Sequence, residues 1–502
     1  MRTKSVEQSI AETDEPEHRL KKNLGTLDLI IFGVGVIIGA GIFIITGTVA
    51  KTNSGPAITL SFAIAGLACA LAALCYAEFA STVPVAGSAY TFSYATFGEL
   101  IAWIIGWDLA LEFTIGSAAL ATSFSGYFQE VFEDTFLEVP ASLGSAADGV
   151  VDLPAVIISL LVMAVLIAGI KLSSLLNQVI VAIKLLVVGA VIVFGIAHVK
   201  AANYSPFIPA SKPAPEGGGG FLDSTLISSI LGIDPAVYGL AGVVAGASIV
   251  FFAFIGFDIV ATTAEETRNP QRDIPRGILG SLAIVTVLYM AVSLVVTGMQ
   301  HYSEIDANDA APLATAFDSV GMEWMGRLIA IGACIGLIVV VMILMLGQTR
   351  VGFAMARDGL LPRGLAKVHP RFGTPYVFTA ITGVAVALIG GLVDLATLVN
   401  LVSIGTLFAF VLVSVGVVIL RRQRPDLPRS FRTPAITVVA SASVLLCLYL
   451  MLNLTGGTWV RFLIWMTVGL VIYFAYGRSH SRVGLRAAAE RAESAPGTSP
   501  ID

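Results

Sequence analysis

Two ionisable side chains lie deep inside long apolar stretches of this sequence, and they are the first candidates for chemistry. Lys184 lies about nine residues into the stretch 175–198. At about 1.5 Å per residue this is some 13 Å into a membrane core of about 30 Å. A lysine at that depth costs about 2.5 kcal/mol or more unless it is paired or functional. We therefore expect Lys184 to take up and release a proton, with snorkelling to the membrane surface as the alternative.

Glu112, in the apolar stretch 98–128, is a second candidate of this kind. A buried carboxylate at this position could line a binding pocket, favour positively charged side chains or share a proton relay. It could equally satisfy backbone groups near a helix end. The residues around Glu112 leave these alternatives open.

Glycines interrupt two of the apolar stretches at matching positions. The first stretch, 27–50, carries four glycines between residues 33 and 41, and the second, 242–266, carries Gly256 in the segment AFIGF. A membrane helix must satisfy its own backbone hydrogen bonds, so such glycines predict a break at which a polar ligand supplies the missing partners. Close helix packing is the alternative for the first stretch, since Gly35 and Gly39 form a GxxxG pattern. Two matching breaks in two five-span halves favour an inverted-repeat transporter with its site between the broken helices.

The composition places the chain among polytopic membrane proteins. It has 502 residues, of which 56% are hydrophobic and 13% charged, with a mean hydropathy of +0.88. About twelve stretches approach the 20 residues that span a bilayer. Four cysteines and five histidines are scattered, and no Walker-type GxxxxGK[ST] motif occurs. We therefore expect no metal site, no cofactor, no nucleic-acid partner and no enzymatic activity.

The distribution of basic residues predicts the orientation. Most of the 29 Lys and Arg residues fall in the segments that would face the cytoplasm if the N-terminus were inside, including 421–432 and 478–491. This positive-inside bias predicts cytoplasmic termini and an even number of spans. The polar N-terminus gives no indication of a signal peptide. The expected location is the plasma membrane, specifically a prokaryotic inner membrane.

Several motifs give the chain a specific family resemblance. They are GVIIGAGIF (35–43), AEFASTVPVAGSAYTF (77–92), FFAFIGFDIVATTAEETRNPQRDIPRGI (251–278), MARDGLLP with VHPRFGTP (355–375), LVSIGTL (401–407) and RPDLPRSFRTP (424–434). With these motifs the chain resembles the amino acid–polyamine–organocation superfamily and, more narrowly, a bacterial member of the cationic amino acid transporter family. The likeness runs from about residue 24 to about residue 434.

The resemblance implies an all-α polytopic membrane protein with a LeuT-type fold, a 5+5 inverted repeat and broken helices 1 and 6. The expected organisation is a cytoplasmic N-terminal tail (1–26), a first repeat with spans 1–5 (27–198), an outer linker (199–242), a second repeat with spans 6–10 (243–420), spans 11 and 12 (421–476) and a disordered cytoplasmic tail (477–502). Its implied function is secondary active amino acid transport, most simply proton-coupled import by alternating access. An exchanger and a non-transporting amino acid sensor are the alternatives.

An amino acid substrate needs donors for its carboxylate and acceptors for its ammonium group. Half-helix N-termini supply the donors and unwound carbonyls supply the acceptors. We assign the carboxylate to the N–H groups of Gly39, Ala40 and Gly41. The ammonium group is assigned to carbonyls near Ile37 and Ile38 in span 1 and near Phe252, Ala253 and Ile255 in span 6. Phe254 and Phe257 are candidates for a side-chain wall or gate, with ordinary packing as the alternative.

The resemblance also gives Lys184 a specific role. In proton-coupled relatives a lysine at the matching place in span 5 occupies the position where sodium binds in sodium-coupled members. The Lys184 ammonium is then expected to contact carbonyls of span 1 near Gly35 and Val36, and carbonyls of span 8. The partners implied are an amino acid, protons and the lipid bilayer. The sequence leaves the oligomeric state open, and also whether the substrate is cationic or small and neutral.

Overall fold

The chain folds almost entirely into helices. The computed structural model describes residues 23–485, apart from 83–87, 134, 137, 148, 170–173, 214–219, 234–235 and 308. Within this part, eight helical stretches are long and apolar enough to cross a membrane, and four further apolar helices are shorter. The described strands are Lys212–Pro213 (β1) and Ala236–Val237 (β2), which pair antiparallel. The prediction of an all-α polytopic membrane protein is confirmed.

The apolar helices are numbered α1 to α12 in chain order. Their bounds are α1 (Thr26–Ile37, resuming as Gly41–Ile45, Thr46–Val49 and Ala50–Ser54), α2 (Ile58–Thr82), α3 (Glu99–Phe132), α4 (Leu153–Ile167), α5 (Ser174–Ile196), α6 (Gly239–Val250, then Phe251–Phe254 and Ile259–Thr262), α7 (Pro270–Met299), α8 (Glu323–Arg357), α9 (Tyr376–Leu392), α10 (Leu395–Gln423), α11 (Ile436–Leu452) and α12 (Gly456–Ile472, extended by Tyr473–Gly477 and Arg478–His480).

Short helices connect these long ones. They are Gly55–Ala57, Ser88–Thr96, Ala141–Gly144, Ala201–Tyr204, Leu226–Leu231, Ala264–Glu266, Pro312–Asp318 and Arg363–Ala366. The long helices pack in two groups: α1, α2 and α6 surround α7, while α3, α4 and α9 pack with α8. Helix α5 contacts α1, α7 and α8, and α10 contacts α2, α3 and α11. Apolar side chains such as Leu186 and Val468 are exposed on the outside, as expected for helices that face lipid.

Helix α1 is broken where the glycines predicted. Its first piece ends at Ile37, and Ile38 adopts an extended conformation with ψ of 96°. The second piece begins as a π-helical turn at Gly41–Ile45. The break occurs inside the protein core, since Ile37, Ile38 and Ala40 are all at most 2% exposed.

Helix α6 is broken at the matching place. The α-helix gives way to a 3-10 turn at Phe251–Phe254, Ile255 is extended, and Gly256 has a φ of +109° that only glycine adopts without strain. The two breaks touch each other. A Cβ on Gly41 would lie 2.2 Å from Cα of Ala253, and a Cβ on Gly256 would lie 2.6 Å from Cγ1 of Val36. Both glycines are therefore required for the crossing.

The two ends of the bundle are distinguished by their loops. At one end, here called the basic face, Arg268 donates its backbone N–H to the Leu24 carbonyl, and Arg350 pairs with Glu266 at 3.3 Å. At the other end, here called the opposite face, Tyr238 donates its backbone N–H to the Asn53 carbonyl.

The segments predicted to be an outer linker and a disordered tail contain secondary structure. The range 199–242 holds the strand pair β1–β2 and the helix Leu226–Leu231, and α6 starts within it at Gly239. The range 477–502 holds a helical turn and residues up to 485, while 486–502 lie outside the described residues. Contacts distant in sequence explain this order, because Ser481 donates its hydroxyl to Glu99 and Arg482 donates its backbone N–H to the Asp358 carbonyl.

Candidate functional site

The two helix breaks bring backbone donors and acceptors together in the core. The N–H groups of Gly39, Ala40 and Gly41 lie at the start of the second piece of α1, where the first N–H groups of a helix have no intrahelical acceptor. The positive end of the helix dipole is at the same position, so this segment suits an anionic group. The side chains nearest Gly39 are apolar, because an added Cβ would lie 3.2 Å from Leu120 and 3.9 Å from Val340.

The carbonyls assigned to the ammonium group already have partners within the protein. The Tyr289 hydroxyl lies 2.7 Å from the Ile37 carbonyl and 2.9 Å from the Ala253 carbonyl. The Ile255 backbone N–H donates to the Phe252 carbonyl at 3.2 Å. A carbonyl oxygen has two lone pairs and can accept a second hydrogen bond, so these contacts leave room for a ligand donor.

Tyr289 is a site residue that the sequence analysis missed. It is in the middle of α7, is fully buried, and joins the broken segments of α1 and α6 through one hydroxyl. The only signal for it in the sequence is a polar aromatic residue in an otherwise apolar span. Buried tyrosine hydroxyls usually find a hydrogen-bond partner, but the sequence does not say which one.

Lys184 reaches the break in α1 from α5. Its Nζ atom donates to the Gly35 carbonyl at 2.8 Å and to the Ile38 carbonyl at 2.9 Å, and the residue is 1% exposed. The stem packs on α8, since a Cβ on Gly336 would lie 2.5 Å from Cε of Lys184. The expected carbonyl near Val36 is replaced by that of Ile38, and the contact with α8 is made by the stem. These contacts place the ammonium group in the core and exclude snorkelling in this structure.

The aromatic residues near the α6 break differ in their surroundings. Phe254 is fully buried and packs against Phe62 and Tyr289, with ring centroids 6.3 and 5.3 Å away. Phe257 packs against Phe410 at 5.0 Å. These contacts favour packing for Phe254 and Phe257. Phe252 at 6% and Ile255 at 9% are slightly more exposed, so these two side chains are better placed to line a ligand cavity.

Glu112 lies nearer the basic face than the breaks do. It is eight residues before Leu120 on α3, which corresponds to about 12 Å along the helix. Its carboxylate is 1% exposed, with Oε1 lacking a hydrogen-bond partner. Asp108, one turn earlier, and Asp258 after the α6 break are also buried, and no hydrogen bond reaches either carboxylate. In the described part of the chain, no group of three His, Cys, Asp or Glu side chains has the arrangement of a metal site.

An exposed ion pair at the basic face joins α8 to the end of α6. Arg350 and Glu266 are 42% and 34% exposed, so this pair contributes little to stability. The side chain of Glu265 lies outside the described residues. Glu266, at the end of α6, therefore pairs with a residue of α8.

Comparison with known proteins decides the family. A family model described as amino acid permease matches residues 24–475. The chain belongs to the amino acid permease family. The methylthioribose transporter of Bacillus subtilis (strain 168) is 45% identical to this permease. The match covers 92% of the permease and 95% of the transporter. The branched-chain amino acid permease BcaP of the same organism is also 45% identical, over 96% of the permease described here and 98% of BcaP.

The cationic amino acid transporters match this permease at greater distance. The vacuolar cationic amino acid transporter 2 of Arabidopsis thaliana is 41% identical over 82% of this chain and 61% of its own length. The predicted superfamily is confirmed, and these bacterial relatives are more similar to the permease than the plant cationic transporter is. As predicted, this permease is a secondary amino acid transporter with a multi-pass membrane fold.

Proposed function

We propose that this permease imports amino acids with apolar side chains, in symport with protons, by alternating access across a bacterial plasma membrane. The observation that carries the proposal is the pair of hydrogen bonds from Lys184 to the Gly35 and Ile38 carbonyls. These two carbonyls lie at the end of the first piece of α1 and inside its break. A single ammonium group therefore links α5 to the part of α1 that would bind substrate.

The protonation state of Lys184 would determine how strongly α5 is linked to α1. A charged ammonium donates charge-assisted hydrogen bonds to both carbonyls, whereas the neutral amine is a much weaker donor. Proton uptake on Lys184 would hold α1 against α5 and α8, and proton release would free it. Glu112 belongs to the same proton path in this proposal, because it is buried and one of its carboxylate oxygens has no donor.

Backbone groups would hold the two ends of the amino acid. The carboxylate would accept hydrogen bonds from the N–H groups of Gly39, Ala40 and Gly41, and the ammonium group would share the carbonyl lone pairs of Ile37 and Ala253. The side chain would then lie among Leu120, Val340, Phe252 and Ile255, which are all apolar. This lining supports apolar substrates, as does the similarity to a branched-chain amino acid permease.

A neutral substrate without an amino acid backbone is a second candidate. The equal similarity to a methylthioribose transporter favours including it. In that case the carbonyls of the break would accept hydroxyl donors, and the N–H groups of α1 would face a neutral oxygen.

Uptake into sodium-free proteoliposomes tests the proposal. L-leucine, L-alanine, L-arginine and methylthioribose are compared with and without an inward proton gradient. We expect L-leucine to accumulate and to lose its accumulation when the gradient is collapsed. Lys184→Met should abolish accumulation and retain exchange, while the control Lys200→Met, which changes an exposed lysine just after α5, should retain both.

Three outcomes would contradict the proposal. Accumulation by Lys184→Met as strong as by the parent would remove the coupling role of the lysine. Uptake that ignores the gradient but responds to internal amino acid would indicate an exchanger. Preference for L-arginine or methylthioribose would overturn the proposed substrate class. The same proposal places both termini in the cytoplasm, which cysteine labelling from either side of intact cells would check.

A further inference from the structure

Tyr289 supplies a hydrogen bond that spans both helix breaks. Its single hydroxyl lies within 2.7 Å of the Ile37 carbonyl in α1 and within 2.9 Å of the Ala253 carbonyl in α6. Both carbonyls belong to residues that are 2% exposed. The protein itself therefore offers one hydroxyl proton, shared between two of the acceptors that helix breaking leaves without an intrahelical donor.

The hydroxyl is held in place by the packing of its ring against two other aromatic rings. The Tyr289 ring lies 5.5 Å from that of Phe62 in α2 and 5.3 Å from that of Phe254 in α6, and all three side chains are fully buried. A buried aromatic side chain fixed by two others has little freedom to move its hydroxyl away. Tyr289 is thus a fixed donor at the crossing of the two breaks.

A carrier that imports its substrate must reorient twice in each cycle, once loaded and once empty. In the loaded step a substrate ammonium group can donate to the break carbonyls. In the empty step the core must close around these carbonyls without that donor. A buried carbonyl without a hydrogen-bond partner costs free energy. The two steps therefore differ in how much they depend on a donor from the protein.

We propose that Tyr289 is a positioning residue for the empty carrier: its hydroxyl proton, shared between the Ile37 and Ala253 carbonyls, stands in for the substrate ammonium and so allows the empty site to close and return. This inference rests on the proposed function, because it requires net transport by alternating access. It assigns to α7 a part in the cycle that neither Lys184 nor the glycines of the breaks can perform.

The test separates empty return from loaded exchange. Tyr289→Phe removes the hydroxyl and keeps the ring packed against Phe62 and Phe254. Net L-leucine uptake into liposomes without internal substrate requires empty return at every turnover, while exchange against internal L-leucine does not. We expect Tyr289→Phe to lower net uptake relative to exchange by about tenfold, the factor that one lost hydrogen bond to a buried acceptor gives.

Tyr127→Phe is the matched control. The Tyr127 hydroxyl is also buried and donates to a carbonyl of α1, that of Phe43 at 2.6 Å, but it does not reach α6. Its removal should change net uptake and exchange in the same proportion. A Tyr289→Phe protein in which both modes fall equally, or in which neither changes, would overturn the inference.

A binding measurement keeps this test independent of transport. Thermal unfolding in detergent is followed with and without saturating L-leucine for the parent and for Tyr289→Phe. We expect L-leucine to raise the midpoint more in the variant, because the ammonium group restores the missing donor. An equal rise in both proteins would overturn the inference. A parent that is stabilised by L-leucine but never accumulates it would overturn the import proposal alone.

Discussion

The Glu78 carboxylate and the Arg421 guanidinium form a two-pronged ion pair that joins the end of α2 to the end of α10. Arg421 donates Nε to Oε1 at 2.9 Å and Nη2 to Oε2. The backbone N–H of Thr433, in the loop before α11, donates to the same carboxylate at 2.8 Å, and Arg429 lies 3.7 Å from it. Glu78 is 1% exposed, so one buried carboxylate organises this corner of the basic face.

Removing this carboxylate should destabilise the protein strongly. Glu78→Ala removes the carboxylate that pairs with Arg421 and with Arg429, whose side chain is 4% exposed, and leaves the Thr433 N–H without this acceptor. A fully buried pair would lose about 3 to 5 kcal/mol, and because Arg421 is 29% exposed we expect about 2 kcal/mol. Chemical or thermal unfolding in detergent measures the loss. The control Asp426→Ala removes the partner of Arg424 in an exposed pair and should leave the midpoint unchanged.

The contact between the two breaks predicts that Gly41 tolerates no larger residue. In Gly41→Ala the new methyl group would lie 2.2 Å from both Cα and Cβ of Ala253, and a backbone atom cannot move aside as a side chain can. We expect a cost near 3 kcal/mol, the upper end for overpacking, together with loss of L-leucine uptake. Gly189→Ala in α5, where no atom lies within 4 Å of the new Cβ, is the control and should keep full uptake. Active Gly41→Ala protein would show that the breaks separate more than this structure indicates.

The glycine beside Lys184 offers a way to uncouple transport without touching the lysine. In Gly336→Ala the added methyl group would lie 2.5 Å from Cε and 3.0 Å from Cγ of Lys184. A flexible side chain can yield, so the fold should survive while the ammonium group leaves the Gly35 and Ile38 carbonyls. We expect proton-driven accumulation to fall and exchange to persist. Gly347→Ala on the same helix, with its nearest neighbour at an ordinary 3.5 Å, should behave like the parent.

Asp152 predicts a pH dependence of stability. It caps α4 by accepting the Ala155 N–H at 3.0 Å, and burial raises the pKa of its carboxyl from 3.8 to about 7, against the lowering effect of Ser125 and Ala155. Between pH 3.8 and about pH 7, the Asp152 carboxyl is therefore protonated in the folded protein but ionised in the unfolded chain. Stability contributed by this group is present below pH 4 and is lost as the pH rises towards 7.

Two substitutions separate the charge of Asp152 from its capping role. Asp152→Asn keeps a cap without a charge, so its free energy of unfolding should nearly match that of the parent at pH 4. At pH 8 it should exceed that of the parent by on the order of 4 kcal/mol, which corresponds to a pKa raised from 3.8 to about 7. Asp152→Ala loses the cap, so it should be less stable than the Asp152→Asn variant by about 1 kcal/mol at both pH values. Equal free energies of unfolding for the Asp152→Asn variant and the parent at pH 8 would contradict the prediction.

The broken helices could be predicted because they leave a local signal. Glycine is the residue that permits the conformation of Gly256 and the contact at Gly41, so its occurrence in the middle of an apolar span indicates the break directly. Lys184 was predictable for a similar reason, since its charge contrasts with the hydropathy around it. Its proton-coupling role, and the assignment of the substrate to Gly39–Gly41, remain predictions that uptake measurements must test.

Contacts set by tertiary packing left no such signal. Tyr289 becomes a site residue only because α7 packs between α2 and α6, and nothing in its own helix distinguishes it from a packing aromatic. Asp108 lies one turn from Glu112, yet the sequence analysis singled out Glu112 alone. The ordered segment after α12 depends on a hydrogen bond from Ser481 to Glu99, 382 residues earlier, which no local pattern could reveal.

The hydrogen bond from Ser481 to Glu99 also determines when this part of the protein can form during biosynthesis. Glu99 enters the growing chain 382 residues before Ser481, and at about 5 to 20 residues per second the ribosome needs about 20 to 80 s to make the distance. During this time the carboxylate at the start of α3 has neither Ser481 nor Tyr473, its other hydroxyl donor on α12. The newly made protein therefore completes this corner only after its last helix has been synthesised.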